Sequence, residues 1–245
     1  MDNDQSYMQD FMKVFSTLER WGPGKEEESM LALAHLAKTP EKILEIGCGK
    51  GLTTIALANA TDAMIVASDN ETGALQSLDS MLQQTGLKHR VETVCASMKE
   101  LPFPEESFDT IWAEGCAYIM GFTNALSAWK KFLTPSGVLV VSDLVWFSDD
   151  PGTTSKSFFS GEYPDMTTLE NRLEQIKSSG YRVRHHYSLS EQAWKNYYQP
   201  LKERALQLQS SMPDSRAISD ILNEVSLYEH YLGDFGYQVF VLEKH

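Results

Sequence analysis

The stretch that decides the fold is Ile43-Leu44-Glu45-Ile46-Gly47-Cys48-Gly49-Lys50-Gly51. Its apolar first half gives way to glycines at alternate positions, and apolar residues at helical spacing follow over residues 52–58. This pattern predicts a short buried strand, a glycine loop and a helix. Gly47, Gly49 and Gly51 allow a sharp turn and a close approach to a ligand, because glycine has no Cβ and adopts positive φ at little cost. Such a loop suits a nucleotide-like cofactor.

A carboxylate about twenty residues further on completes the predicted binding site. Residues 63–68 predict a second buried strand, which ends at Asp69. A carboxylate in this place accepts hydrogen bonds from both hydroxyls of a ribose. Nicotinamide enzymes use a related fingerprint, but its third glycine falls at position 52, which is Leu52 here. A nicotinamide-dependent oxidoreductase is therefore kept as an alternative.

The stretch from Leu44 to Gly51 resembles the first motif of class I S-adenosylmethionine-dependent methyltransferases. The resemblance extends in order along most of the chain, and Trp112-Ala113-Glu114-Gly115 and Tyr163-Pro164 look like a type 11-like, small-molecule branch. It implies an α/β fold: a Rossmann-like doubly wound sheet, mostly parallel with an antiparallel last strand, plus a helical cap insertion. It also implies S-adenosyl-L-methionine as the cofactor and S-adenosyl-L-homocysteine as the product.

The cofactor-binding residues implied by this resemblance come from the glycine loop, the ends of the following strands and one N-terminal turn. The glycine loop is expected to hold the methionyl part, and Asp69 the ribose. Ser97 and Met98 stand where family members meet the adenine, although many of them place Asp at the position of Ser97. The expected residues are Arg20, Glu45, Gly47, Cys48, Gly49, Gly51, Asp69, Asn70, Ser97, Met98 and Glu114.

Two carboxylates are candidate catalytic residues. Glu114 follows the predicted fourth strand and Asp143 closes the fifth, and open α/β sheets bind ligands just outside these carboxyl ends. Glu114 is a candidate general base, or it orients a cationic or hydroxylated acceptor. Support of the cofactor's own positive charge is an equal alternative for Glu114. Asp143 is a candidate for positioning the acceptor, and the plainer interpretation makes it a solvated residue on the rim.

The acceptor pocket is predicted from a set of aromatic residues. One is a tryptophan near the N-terminus, and the others lie from the end of the predicted fourth strand into the predicted cap. As a set they favour a small apolar or aromatic metabolite, and they are also suited to hold a cationic amine by cation–π contact. Individually, each of them also fits ordinary packing. The candidate substrate-binding residues are Trp21, Tyr118, Trp146, Tyr163, Tyr197 and Tyr198.

The chain is expected to form a single methyltransferase domain over residues 1–245. Its predicted parts are an N-terminal helical flap (1–38), a Rossmann-like core (40–187 and 236–245) and a helical cap (188–235) built from two helical patterns. Residues 144–165 lose periodicity and are rich in aromatics, which predicts a long loop that acts as a lid.

Composition restricts the function classes further. The formal net charge of −13 leaves no broad basic face for a phosphate backbone, so nucleic acid is not expected as the methyl acceptor. The three cysteines are odd in number, which indicates a reducing compartment rather than a disulfide scaffold, and they lack metal-type spacing, so no metal is expected. Since no apolar stretch reaches the length of a membrane helix, a soluble, cytoplasmic protein is expected. Its expected oligomeric state is a monomer or a homodimer. A non-catalytic S-adenosylmethionine-binding protein stays a further alternative.

Overall fold

An open β-sheet forms the centre of the computed structural model, which describes residues 2–245 of the chain. Over these residues its strands are β1 (Lys42–Ile46), β2 (Met64–Asp69), β3 (Val91–Cys95), β4 (Phe108–Ala113), β5 (Leu133–Trp146), β6 (Thr167–Thr168), β7 (Tyr181–Ser188) and β8 (Phe235–Lys244). The order is β3-β2-β1-β4-β5-β8-β7, and β6 pairs with β5. Only β8 runs antiparallel to its neighbours β5 and β7 among the described strands. The predicted fold class is confirmed.

Helices cover both faces of the sheet. They are α1 (Asp2–Phe15), α2 (Glu26–Ala34), α3 (Leu52–Ala60), α4 (Thr72–Thr85), α5 (Phe122–Lys130), α6 (Thr153–Glu162), α7 (Leu169–Ser178), α8 (Glu191–Gln209) and α9 (Arg216–Tyr231). One core lies between the sheet and α5 and α7, and a second between the sheet and α2, α3 and α4. Strand β1 is therefore buried on both faces, which explains its unbroken apolar run.

A third core lies beyond the carboxyl edge of the sheet. The two helical patterns predicted for the cap form α8 and α9, which pack on each other and on α1. Aromatic side chains dominate this core, with Trp194, Tyr197 and Tyr198 of α8 against Phe235 and Tyr237 of β8. The insertion thus covers the end of the sheet where parallel α/β folds bind ligands.

The segment predicted as a long loop, residues 144–165, is partly regular structure. Strand β5 continues to Trp146 because β8 pairs with it along this length, and α6 follows from Thr153. Phe159 of α6 packs against Trp146 and Phe235, with ring centroids 5.5 and 4.8 Å apart. The helix was missed because its buried face is narrow, with only Ser155 and Phe159 buried, so the sequence shows no helical apolar period.

Two local details also differ from the expectations. The spacing of Thr167 and Glu170 predicts a capping box that begins at Thr167, but Thr168 caps α7 by accepting a hydrogen bond from the backbone nitrogen of Asn171. Thr167 is instead engaged in the short strand β6 beside β5. Within residues 2–245 no helix has both the length and the apolar character required to cross a membrane.

Candidate functional site

A cavity of about 450 Å³ opens beside the carboxyl ends of β1, β2 and β4. We call it the glycine-loop cavity; it is lined by residues from 19–23, 45–53, 68–70, 96–99 and 114–119. Its volume lies in the range of small-molecule sites, about 300 to 1,000 Å³. All the cofactor-binding residues predicted from the sequence line this one cavity. The structure therefore brings the predicted set together, while their individual roles stay predictions.

The glycine loop is hydrogen-bonded to Asp69, the carboxylate that is predicted to bind the ribose. Gly49 donates its backbone N–H to one carboxylate oxygen of Asp69 at 2.8 Å, and Glu71 donates its own to the other at 2.9 Å. Gly51 has a φ of 81°, and a Cβ there would lie 2.2 Å from a methyl carbon of Leu78. Only glycine avoids both the strained backbone and this clash. The loop is thus shaped by the strand–helix packing behind it.

Glu45 is a buried carboxyl in the floor of the glycine-loop cavity, 4% exposed. It accepts a hydrogen bond of 2.5 Å from the hydroxyl of Thr54. Burial raises the pKa of Glu45 to about 8; the Thr54 bond and Arg20 lower it, and the negative charges of Glu114 and Asp69 raise it. A positive group bound nearby would favour the ionised form, so this carboxyl is suited to respond to a cationic ligand.

Glu114 is held in the cavity wall by three donors. Ser29 and Trp112 donate to one carboxylate oxygen at 2.7 and 2.8 Å, and Thr53 donates to the other at 3.2 Å. These bonds join α2, α3 and β4 at one point and fix the direction of the carboxylate. The arrangement suits a fixed negative charge facing a ligand, which is the alternative raised from the sequence.

Asp143, expected on the rim of the sheet, is fully buried and lines neither cavity described here. It forms an ion pair with Arg172 at 2.8 Å, and the hydroxyl of Tyr163 lies 2.9 Å from both of its oxygens. Burial raises the pKa of Asp143 to about 7, while Arg172 and the Tyr163 bond lower it. The solvated position expected for Asp143 is therefore wrong, because α7 covers this end of β5.

Arg172 is a residue that the sequence reasoning missed. It is fully buried and stacks over the ring of Phe122, with its guanidinium carbon 4.6 Å from the ring centroid. A signal existed, because Arg172 stands on the apolar stripe of α7 with Leu169 and Ile176. A lone cation on a buried helix face requires a buried acid as partner.

A second cavity of about 170 Å³ lies next to the first. We call it the aromatic cavity, and five residues line both cavities: Trp21, Gly22, Pro23, Gly115 and Tyr118. Of the predicted substrate-binding residues, Trp21, Tyr118, Tyr163, Tyr197 and Tyr198 line it. Trp146 does not; it packs against Phe159 and Phe235 in the third core.

The sequence reasoning also missed two acidic residues of the aromatic cavity, Glu162 and Glu224. Both lie on helices whose exposed faces carry other charges, so nothing in their spacing sets them apart. Within the described residues no group of three or more His, Cys, Asp or Glu side chains is arranged to hold a metal ion.

The residues that line the glycine-loop cavity fit a sulfonium nucleoside such as S-adenosylmethionine. Gly49 lines the cavity with a φ of 51°, and a Cβ built there meets no atom within 4 Å, so the backbone leaves room for a ligand. Asp69 beside it carries carboxylate oxygens of the kind that accept hydrogen bonds from a ribose. The carboxylate of Glu114 lies in the same wall, and a positive group of the ligand would lower the raised pKa of the buried Glu45 carboxyl.

Comparisons with known proteins agree with this geometry. Residues 43–137 match the family model described as a methyltransferase domain. The methyltransferase GfsG of Streptomyces halstedii is 30% identical over 105 residues, which are 42% of this chain and 38% of that protein. The aligned segments span less than half the length of the first curated relatives matched.

Solved structures share the fold over nearly the whole chain. A SAM-dependent methyltransferase from Geobacter sulfurreducens, in complex with S-adenosyl-L-homocysteine, has a TM-score of 0.81 at 16% identity, covering 96% of this chain and 97% of that one. The [4+2]-cyclase SpnF has a TM-score of 0.78 at 18% identity, covering 98% and 94%. At these identities the likeness shows the fold alone.

Proposed function

We propose that this protein transfers a methyl group from S-adenosylmethionine to a small molecule. The premise is that residues 43–137 belong to the methyltransferase domain family. One observation carries the proposal: the carboxylate of Asp69 accepts a hydrogen bond of 2.8 Å from the backbone N–H of Gly49, in the wall of a cavity of about 450 Å³. This arrangement supports a role of Asp69 as ribose acceptor, beside a backbone that a ligand can approach. The neighbour solved with S-adenosylhomocysteine supports the same cofactor.

The proposed roles in cofactor binding follow the positions around the cavity. Asp69 accepts hydrogen bonds from the ribose, and Ser97 and Met98 meet the adenine. Arg20 and Glu45 face the charged methionyl end, and Glu114 supports positive charge with a carboxylate that three donors hold in place. When bound, S-adenosylmethionine supplies an electrophilic methyl group on a positively charged sulfur.

The proposed acceptor site is the aromatic cavity, since it shares five lining residues with the glycine-loop cavity. Methyl transfer is an in-line displacement, so the protein must mainly align the nucleophile and exclude water. The rings of Tyr118 and Trp21 stand between the two cavities and are suited to both tasks. We further propose that 1–38 acts as a flap, that 40–187 and 236–245 form the core, and that 188–235 caps the acceptor.

Methyl transfer is tested by incubating the protein with methyl-labelled S-adenosylmethionine and a metabolite extract of its source organism. A labelled product in the mass spectrum, formed by the wild type and lost in the cofactor-site variant Asp69→Asn, is the expected result. Binding of S-adenosylhomocysteine without any labelled product would favour a non-catalytic binding protein. A rise in melting temperature with nicotinamide cofactors instead would favour the oxidoreductase alternative.

A further inference from the structure

The aromatic cavity carries charge of one sign. Its lining includes the two carboxylates Glu162 and Glu224, and no Lys, Arg or His side chain is found among the described residues that line it. Arg172, a fully buried cation that contacts the hydroxyl of the lining residue Tyr163, is already paired with Asp143 at 2.8 Å. The described lining therefore offers its acids no cationic partner, which favours a ligand that brings positive charge.

Glu224 is the acid best placed to meet such a ligand. One of its carboxylate oxygens accepts a hydrogen bond of 2.8 Å from the hydroxyl of Tyr198, which orients the group on the cavity wall. Desolvation raises the pKa of Glu224, the Tyr198 bond lowers it, and the charge of Glu162 raises it. An enclosed carboxyl of this kind is ionised favourably only when a cation lies against it.

Two pairs of rings in the cavity lining meet at steep angles. Tyr118 and Tyr163 lie at 61° with centroids 5.7 Å apart, and Trp194 and Phe235 lie at 70° with centroids 5.9 Å apart. Rings arranged edge to face present π surfaces from several directions, which is the arrangement that binds alkylammonium groups. Aromatic walls and the enclosed carboxyl of Glu224 together distinguish a cation site from a merely apolar one.

Size limits what the aromatic cavity accepts. Its volume of about 170 Å³ is close to that of an engineered apolar cavity of about 150 Å³ that holds one benzene molecule. One ring or one small alkylammonium group therefore fills it. The five residues shared with the glycine-loop cavity place this group next to the proposed methyl donor.

We propose that the methyl acceptor is a small alkylamine that the aromatic cavity binds in its cationic form. Glu224 is the residue that pairs with the ammonium group. The proposal rests on the methyl transfer proposed above and names its substrate class. An oxygen acceptor would instead develop negative charge beside Glu162 and Glu224, which like-charge repulsion disfavours.

The chemistry balances without a further reactant. The bound ammonium gives its proton to Glu224, and the freed nitrogen lone pair forms the new N–C bond to the methyl group. The C–S bond breaks at the same time, and its electrons remain on sulfur, which becomes a neutral thioether. Positive charge thereby passes from sulfur to the amine nitrogen, where the aromatic rings and the remaining carboxylate of the lining, Glu162, stabilise it.

Two probes of equal shape test the inference in the full-length protein. Choline carries a trimethylammonium group, and 3,3-dimethyl-1-butanol replaces that nitrogen with carbon. With S-adenosylhomocysteine already bound, calorimetry should show that choline binds at least about tenfold more tightly. Glu224→Gln, which keeps the acceptor for Tyr198, should remove most of this preference. Glu203→Gln, a matched loss of charge at an exposed position of α8, should leave it unchanged.

The outcomes separate this inference from the proposed function. If S-adenosylhomocysteine binds and the two probes bind equally, the cationic acceptor is overturned while the methyltransferase proposal stands. If S-adenosylhomocysteine does not bind at all, both are overturned. Because the comparison of choline with its neutral counterpart uses the wild-type chain, it decides the question even if Glu224→Gln fails to fold.

Discussion

The carboxylate of Asp69, at the end of β2, accepts a hydrogen bond of 2.8 Å from the backbone nitrogen of Gly49 in the loop after β1. Strands β1 and β2 are parallel neighbours, so their carboxyl ends meet at one edge of the sheet. The bond therefore fixes the glycine loop and the acid relative to each other. A ligand that contacts one of them depends on the other.

Replacing Asp69 with Asn should weaken binding of S-adenosylhomocysteine by about 1 to 3 kcal/mol, because one charged acceptor of the ribose and of Gly49 is lost. Isothermal titration calorimetry measures this directly. Asp62→Asn, which removes the same charge at an exposed position before β2, is the matched control and should bind normally. Equal affinities for wild type and Asp69→Asn would remove Asp69 from the site.

Replacing Glu114 with Gln should weaken binding of S-adenosylmethionine more than binding of S-adenosylhomocysteine. Only the former carries positive charge on sulfur, and the substitution removes a carboxylate that faces the cavity while leaving oxygen to accept from Ser29 and Trp112. We expect a difference of about 1 kcal/mol between the two ligands, measured by calorimetry. Glu105→Gln, exposed and outside the cavity, serves as the control. An equal loss for both ligands would contradict a role in stabilising the sulfonium charge.

Replacing Glu45 with Gln should stabilise the protein at high pH. The pKa of Glu45 is raised from 4.5 to about 8 in the folded protein, so its contribution to stability is complete below pH 4.5 and is lost as the pH rises through 8. This rise of about 3.5 pKa units corresponds to about 5 kcal/mol. Relative to wild type, Glu45→Gln should gain that order of stability between pH 5 and pH 9 in urea unfolding. If the difference in free energy of unfolding between Glu45→Gln and wild type does not change with pH, burial does not raise the pKa of Glu45.

Replacing Arg172 with Met should cost about 3 to 5 kcal/mol of stability, because Asp143 is left buried without its partner. The pKa of Asp143 is already raised to about 7. Loss of Arg172 raises it further, so the variant loses more stability at pH 8, where the carboxylate must ionise, than at pH 5.

Urea unfolding at the two pH values tests the Arg172 prediction. The double variant Asp143→Asn/Arg172→Met should recover much of the loss, since no buried charge remains. Arg182→Met, which breaks an exposed ion pair with Glu243, should cost less than about 1 kcal/mol. The same loss at both pH values would argue against an unpaired carboxylate as its cause.

Much of the cofactor site was predictable because its parts are local in sequence. The apolar run of β1, the alternating glycines and the strand that ends at Asp69 each have a short-range signature. The resemblance to methyltransferases that rests on these residues is confirmed by the match of residues 43–137 to the family model. The cap helices α8 and α9 were also visible as periodic apolar residues.

Other features were not predictable for definite physical reasons. Helix α6 has too narrow a buried face to show a helical period, so its segment looked like a loop. Trp146 was expected to line the acceptor pocket, but its ring turns into the third core against Phe159 and Phe235. Side-chain direction at the end of a strand depends on register with the neighbouring strand, which the aromatic composition of a segment does not specify.

The sequence by itself determined the β-α-β unit, the glycine loop and the acid beside it, because strand polarity and backbone freedom are local properties that bring these parts to one edge of the sheet. Only the tertiary structure decided that Asp143 is buried against Arg172 and that Glu224 faces an aromatic cavity without a cation. Both relationships join elements far apart in sequence, and the packing of helices over the end of the sheet sets which charged groups meet and how much water they keep.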